Sequence, residues 1–478
     1  MTAPAHPPAL RLGTAAGRGT LLATILASGM VFLDSTVVNV ALPRLGAELK
    51  ANVADLQWTV NGYLLMLAAF VLLGGALGDR FGRRRIFLLG VAWFAAASVL
   101  CGLSQGTGWL IVARFLQGAG GALLTPGSLS VLQASFHRDD RGKAIGTWSG
   151  LSGVSTALGP LLGGWLIDAL SWRWIFFINL PLAVAVVLAT LRWVPESRDV
   201  AASRTGAKRR FDVVGALLGA LGLGGVTYAL IDAPRGGRSP AVLLSVLVGV
   251  LATVAFVLVE RRRGEAAMLP AKLFGSRLFS VLNVFTVVVY AALGGFTFFL
   301  SVYLQNGIGW SALLTGLATV PMTLLLLVGS PRAGALSAKI GPRLPLTVGP
   351  VIAAGGLLLL RRIGPGASYW VDVLPGVALF GAGLTLVVAP LTTSVLSAVA
   401  DRFAGVASGF NNAASRAGGL LAVAALPLLV GLSGTGYEQK ATLGHAFRGA
   451  LLWCAGLLLV GAALAATLIH RPKGRAPS

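Results

Sequence analysis

Three ionisable residues stand where such residues are rare, inside long apolar runs. Asp34 lies about 14 residues into a run that starts at residue 20, and Arg114 about 6 residues into one that starts at residue 108. At 1.5 Å per residue these positions are roughly 21 Å and roughly 9 Å along their runs. If the two runs cross a hydrocarbon layer about 30 Å thick in opposite directions, both groups reach similar depth. A charged side chain at mid-membrane costs about 2.5–3.5 kcal/mol on insertion scales, and such groups usually face an internal cavity and serve transport. A carboxyl there can gain and lose a proton as its surroundings change, and a guanidinium that approaches or leaves it governs the exchange. Asp34 is therefore read as a proton carrier, or as counter-ion to a cationic ligand, against the plain alternative of a permanent structural pair. Arg114 is read as its exchange partner, against a role as a lock on backbone carbonyls. Arg416, about 12 residues into a run that starts at residue 404, also sits near mid-depth and suits an anionic or zwitterionic ligand, so the charge of the ligand stays open.

The elements that carry these residues follow from composition. Of 478 residues, 56% are hydrophobic and only 11% charged, whereas about a quarter of an ordinary soluble domain is charged. Lipid is the solvent that accommodates such a chain, and its 64 glycines suit helices that pack backbone to backbone. Taking about 20 apolar residues per crossing, fourteen spans are expected at 20–43, 56–77, 86–104, 108–130, 144–167, 172–192, 212–233, 240–260, 279–303, 312–331, 345–361, 370–397, 404–431 and 446–469. The first run continues past Ala27 and Gly29, which argues against a cleaved signal peptide. Cys101 and Cys454 both fall in apolar stretches and read as packed thiols.

The net charge of +22 is not gathered into a nucleic-acid-binding patch; Lys and Arg sit in short clusters between runs. With fourteen spans, 27 of the 38 fall on the side of the termini, 9 on the other, and Arg114 and Arg416 within spans. That bias places both termini in the cytoplasm of a cell-membrane protein. The sequence also repeats. Gly75, Ala76, Leu77, Gly82 and Arg84 recur 259 residues later as Gly334, Ala335, Leu336, Gly341 and Arg343, with the basic Arg80 matched by Lys339. Spans one to six thus map onto nine to fourteen, and spans seven and eight form an insert. The expected organisation is a cytoplasmic tail over 1–19, a six-helix half over 20–192, linkers and inserted helices over 193–278, a second half over 279–470 and a tail over 471–478. Two pseudo-symmetric halves with a site between them is a transporter architecture.

Around the first repeat, Gly75 and Gly82 permit a tight turn, and Asp79, Arg80, Arg83 and Arg84 can bind across the loop or at a helix end; the basic cluster also serves as a topology anchor. In span five, Gly159, Pro160, Gly163 and Gly164 give a bend or a sliding surface, if they are more than the ordinary tolerance of membrane helices for such residues. Polar candidates for a ligand path are Asn39, Asn61, Tyr63, Tyr303, Gln305, Asn411, Asn412 and Arg416, each of which also suits an interhelical hydrogen bond.

Five segments together resemble the major facilitator superfamily, in particular its fourteen-helix drug:proton antiporter branch, over nearly the whole chain. They are Leu33 to Pro43 around Asp34 and Asn39; the loop from Gly75 to Arg84; Arg114 with Gln117, Gly118 and Gly120; Gly159 to Gly164; and Trp172 to Pro181. Ser155 departs from the pattern, which often has glycine there. The resemblance implies an all-α major facilitator fold of fourteen helices. It also implies proton coupling through Asp34 and Arg114, and a loop latch that holds the state closed to the cytoplasm.

No enzyme signature, metal-ligand pairing or nucleotide loop is present in the sequence, so no cofactor is expected and energy comes from the proton gradient. One proton yields about 2.3 kcal/mol per 100 mV and about 1.36 kcal/mol per pH unit. The expected partners are a small-molecule substrate, protons and lipid, with the monomer as the working unit. The expected function is export of drugs or antibiotics by antiport; the alternatives are a dedicated exporter of one metabolite, such as an amino acid or siderophore, and a non-transporting receptor on the same fold.

Overall fold

A computed structural model describes residues 9–197, 212–237, 239–264, 267, 269–400 and 403–469. Parts of the expected tails and linker, 1–8, 198–211 and 470–478, lie outside the described residues, as do Asp401 and Arg402.

The chain forms helices α1 Ala15–Leu49, α2 Val53–Phe81, α3 Arg83–Gly102, α4 Thr107–Ser135, α5 Arg138–Ala169, α6 Trp174–Trp193 and α7 Val213–Pro234. There follow α8 Pro240–Arg263, α9 Arg277–Gly307, α10 Ala312–Ile340, α11 Arg343–Leu360, α12 Tyr369–Ser397, α13 Ala404–Leu429 and α14 Lys440–Leu468. Among the described residues, thirteen of these are long and apolar enough to cross a membrane. The fourteenth, α4, is diluted by Arg114, Gln117 and glycines 118, 120 and 121. Its polarity is internal, since Arg114 and Gln117 are both buried.

Local chemistry sets the ends. Thr14 caps α1 by accepting from the Gly17 amide, and Asn52 with Asp55 forms a reciprocal capping box on α2. Helix α1 starts before residue 20 and runs six residues past Pro43, stopping only where Lys50 turns left-handed with φ 52°. Gly82 and Gly341, the matched glycines of the repeat, end α2 and α10 with φ of 109° and 86°, a region L side chains avoid. The matched arginines then make the same bond in each half: Arg84 donates to the Leu191 carbonyl at 2.9 Å and Arg343 to that of Ala466 at 3.0 Å.

Packing follows the repeat. In the first half α1 packs on α5 and α6, and α4 on α2 and α3; in the second, α9 packs on α13 and α14, and α12 on α10 and α11. The halves meet through α2 with α13 and through α5 with α10, again related by the repeat. The equivalent helices α1 and α9 are the most enclosed, with 67% of their apolar window buried, against 17% for α8. The inserted α7 and α8 form a hairpin that attaches through α7 to α2 and α13, leaving the apolar surface of α8 to lipid. Its base is tied by Asp212, which caps α7 and pairs with Arg263.

The two ends of the bundle differ. At the end opposite the termini, the halves are joined by Gln57 to the Val423 and Ala424 carbonyls, by Gln305 to that of Val40, and by the Val53 amide to that of Gly434. Toward the termini, Leu72 meets Gly409, but the first half of α5 is exposed round most of its circumference, and Gly142, Gly146, Gly150 and Gly153 face open space. The bundle is a wedge, shut at the far end and open toward the termini.

Candidate functional site

The centre of the first half is a closed polar cluster. Asp34 on α1 and Arg114 on α4 meet with Oδ2 and Nη1 2.5 Å apart, and their side chains are 0% and 1% exposed. Gln117, one turn beyond Arg114, donates from Nε2 to Asp34 Oδ1 at 2.7 Å and accepts from Arg114 Nη1 at 2.6 Å. Its amide also donates to Ser98 Oγ at 2.8 Å, which in turn accepts from Asn179. Arg114 Nε donates to the Thr59 carbonyl, and its guanidinium lies 4.3 Å from the centre of the Tyr63 ring. The Tyr63 hydroxyl is itself committed to the Val31 carbonyl. Every charge is thus paired, and each oxygen of the carboxylate has a donor, which is the condition for keeping ions in a dry interior. The opposed depths read from the sequence bring Asp34 and Arg114 together.

Helix α5 packs on α1, which carries Asp34, with almost no space between. A Cβ on Gly159 would fall 2.0 Å from Thr36 Oγ1, and one on Gly163 2.1 Å from a Val37 methyl. On its other face, a Cβ on Gly164 would strike the Ala312 carbonyl of α10 at 2.5 Å, and the Pro160 carbonyl presses on Gly316. One glycine-rich stretch therefore holds α5 to α1 within its own half and to α10 in the other. Ser155 fits the same seam because the small residue is on the opposite helix: Gly29 of α1 faces it.

Among the described residues the second half carries no equivalent buried ion pair. Arg416, about mid-way along α13, donates to Asn412 of its own helix at 3.0 Å and is half-buried. Its electrostatic neighbours are Tyr63 of α2 and Tyr290 of α9. Asn411 turns the other way, donating to Asn283 and Thr286 of α9.

Residues 24–423 match the family model of the Major Facilitator Superfamily. The chain belongs to the major facilitator superfamily. Among its relatives, the tetracenomycin C resistance and export protein of Streptomyces glaucescens is 38% identical over 86% of this chain and 75% of that protein. The puromycin resistance protein pur8 of Streptomyces alboniger is 36% identical over 94% and 90%, and the methylenomycin A resistance protein of Bacillus subtilis 35% over 95% and 94%. A bacterial homologue of the lysosomal transporter Spinster, solved in an inward-facing, unoccupied conformation, shares the fold at a TM-score of 0.63 and 18% identity, over 95% of this chain and 97% of that one. This chain is a multi-pass membrane transporter, and its relatives are named for antibiotic resistance and export.

In this major facilitator the loop motif is bound within its own half. Asp79 pairs with Arg83 one turn on at 2.8 Å, the Arg84 amide donates to Glu196, and that of Arg83 to the Ser197 carbonyl. Arg80 lies over the Phe81 ring. Gly82 fits its role in the turn, and a Cβ there would also strike the Glu196 carboxylate at 2.7 Å. Gly75, expected at a tight turn, instead lies inside α2 with room for a Cβ, while its neighbour Gly74 abuts the Ala122 carbonyl. The aromatic motif ties down the far end, with Trp172 and Arg173 both donating to Glu48.

The remaining path candidates divide. Asn39 donates weakly to Ser35 of its own helix. Asn61 is fully buried, with neither amide atom hydrogen-bonded. Tyr303 and Gln305 lie at the closed end: the Tyr303 hydroxyl donates to Ile363 and its ring stacks on Phe447 at 4.2 Å, while Gln305 bridges the halves. Their contacts are those of packing and closure, a departure from the path reading that follows from their place at the far end of α9. Reading the sequence passed over Asp168, whose carboxylate crosses from α5 to accept from the first amides of α10, Ala312 and Leu313, at 3.3 and 2.8 Å. It also passed over Glu196, Gln57 and Ser98; an isolated polar residue carries no sign of its partner.

Proposed function

We propose that this chain is a proton-coupled antiporter that exports drugs or antibiotics from the cell by alternating access, as a monomer with both termini in the cytoplasm. The observation that carries this reading is the buried Asp34–Arg114 pair bridged by Gln117. It offers a single carboxyl at mid-depth whose protonation is incompatible with the pairing around it. With the termini inside, the wedge opens to the cytoplasm. Asp34 is then charged and held by Arg114, the condition after its proton has left inward and before substrate loads. When the wedge closes inward and opens outward, α5 slides on α1 along the Gly159 and Gly163 seam. The pair parts, and Asp34 takes a proton from outside as substrate leaves. The loop from Gly75 to Arg84 latches the inward-closed state, and in the open wedge its charges rest on their own half. Export of a chemically mixed set is favoured over a single metabolite by the names of the relatives, which differ in the compound exported or resisted.

The test uses proteoliposomes holding the purified chain, with an imposed acid gradient and an internal pH dye. Puromycin, tetracenomycin C and methylenomycin A are added in turn. Proton movement coupled to accumulation of two or more of them supports multidrug antiport. Response to one alone indicates a dedicated exporter, and no proton movement with any indicates the receptor reading.

A further inference from the structure

The two polar centres differ in what charge they could meet. A cationic substrate needs a carboxylate to meet, and Asp34 is the one acid near mid-membrane among the described residues. It is fully enclosed, with Arg114 on one oxygen and Gln117 on the other. The ion pair as a whole is neutral, and both carboxylate oxygens are already bonded. Arg416 is the opposite case. It stands mid-way along α13 at the seam between the halves, keeps part of its surface accessible, and has no acidic partner among the described residues. Its electrostatic neighbours Tyr63 and Tyr290 supply no carboxylate, and the Tyr63 hydroxyl donates to the Val31 carbonyl. A guanidinium left uncompensated at that depth is unfavourable unless something periodically neutralises it. Close by, α2 and α13 run antiparallel, with Gln57 beside Val423 and Leu72 beside Gly409. That register sets Arg416 level with the middle of α2.

We infer that the exported molecules share an acidic group, a carboxylate, phenolate or sulfonate, that binds Arg416, partly accessible and without an acidic partner among the described residues. This rests on the export reading and narrows its substrate class. A guanidinium, which can bind through two parallel N–H groups, suits a planar acid.

Equilibrium binding to the full chain in nanodiscs, without any gradient, tests this with three xanthene dyes of one shape: anionic fluorescein, zwitterionic rhodamine B and cationic rhodamine 123, read by fluorescence polarisation. Fluorescein is expected to bind at least about tenfold more tightly than rhodamine 123. Arg416→Gln should lose about tenfold to hundredfold in fluorescein affinity, as for a lost charged hydrogen bond, and Arg416→Lys should recover most of it. Arg416→Gln should also leave the unfolding temperature unchanged or raised, since it removes a charge that nothing compensates; a structural lock would lower it. Equal binding of the three dyes, binding of none, tightest binding of rhodamine 123, or a folded Arg416→Gln protein with unchanged fluorescein affinity overturns the inference. Acid-gradient transport in proteoliposomes is scored separately: anion-selective binding without gradient-driven uptake would overturn the export reading alone.

Discussion

Replacing Asp34 by Asn tests the proton-carrier reading. The carboxylate accepts from Arg114 Nη1 at 2.5 Å through one oxygen and from Gln117 Nε2 at 2.7 Å through the other. An amide of the same shape supplies one acceptor and one donor, so either Arg114 or Gln117 faces an N–H group. The guanidinium, 1% exposed, also loses its counter-charge. Removing one member of a buried pair costs about 3–5 kcal/mol, and the oxygen that Asn retains puts the expected loss near the lower bound. Adding Arg114→Gln removes the stranded charge, so the double variant should be more stable than the sum of the two single losses implies, by up to about 3 kcal/mol. Stability is read by denaturant titration of the purified protein, and transport by acid-gradient-driven efflux in proteoliposomes. Asp34→Asn and the double variant should both fold, exchange substrate down its gradient, and fail to move it uphill. Uphill efflux by Asp34→Asn near the wild-type rate, or strictly additive stability losses, would refute the reasoning.

Three further outcomes concern the closed end. Asp168→Ala removes the carboxylate that caps α10 from the other half; a lost cap costs about 0.5–2 kcal/mol, which should raise the outward-open population severalfold in spin-label distances across that end. Gly164→Ala puts a methyl 2.5 Å from the Ala312 carbonyl, and such overpacking costs about 1–3 kcal/mol; the same distances should lengthen, while Gly153→Ala, which faces open space, should leave them unchanged. Tyr437 closes the end by donating to the Ala51 carbonyl at 2.7 Å, and burial, helped by Glu438, pushes its hydroxyl up to about 12. The neutral phenol is the bonded form, so its contribution is complete below the ordinary value of about 10 and is lost as pH rises through about 12. Spin-label distances that begin to lengthen above about pH 10 in wild type, and lose that alkaline dependence in Tyr437→Phe, are the expected result; no difference between the two proteins would exclude this role.

Much of the fold was written in patterns that lipid enforces locally. A run of about 20 apolar residues must be a helix, because no other element satisfies its own backbone in hydrocarbon. The α4 run was found by its length although Arg114 and Gln117 lower its hydropathy. The repeat of Gly82 and Arg84 at Gly341 and Arg343 reflects a geometric need, a left-handed turn followed by an arginine reaching a carbonyl, which both halves satisfy in the same way. Helix ends were less legible: α1 runs on to Leu49 because nothing near Pro43 stops it. The placement of Gly74 rather than Gly75 against α4 depended on helix rotation, which a glycine-rich string does not specify.

The sequence by itself determined that the chain is a multi-pass membrane protein of fourteen long helices, thirteen of them apolar enough to cross a membrane, in two related halves, and that an acid and a base lie at matching depth. Those properties depend on residue order and on the thickness of the surrounding layer. Tertiary structure alone decided which charge is spent and which remains. Asp34 is closed off by Arg114 and Gln117, while Arg416 is left facing the seam, because pairing depends on the rotation of each helix about its axis and on which neighbour arrives there. Two side chains of opposite sign at equal depth are only candidates for contact until packing turns them toward or away from one another.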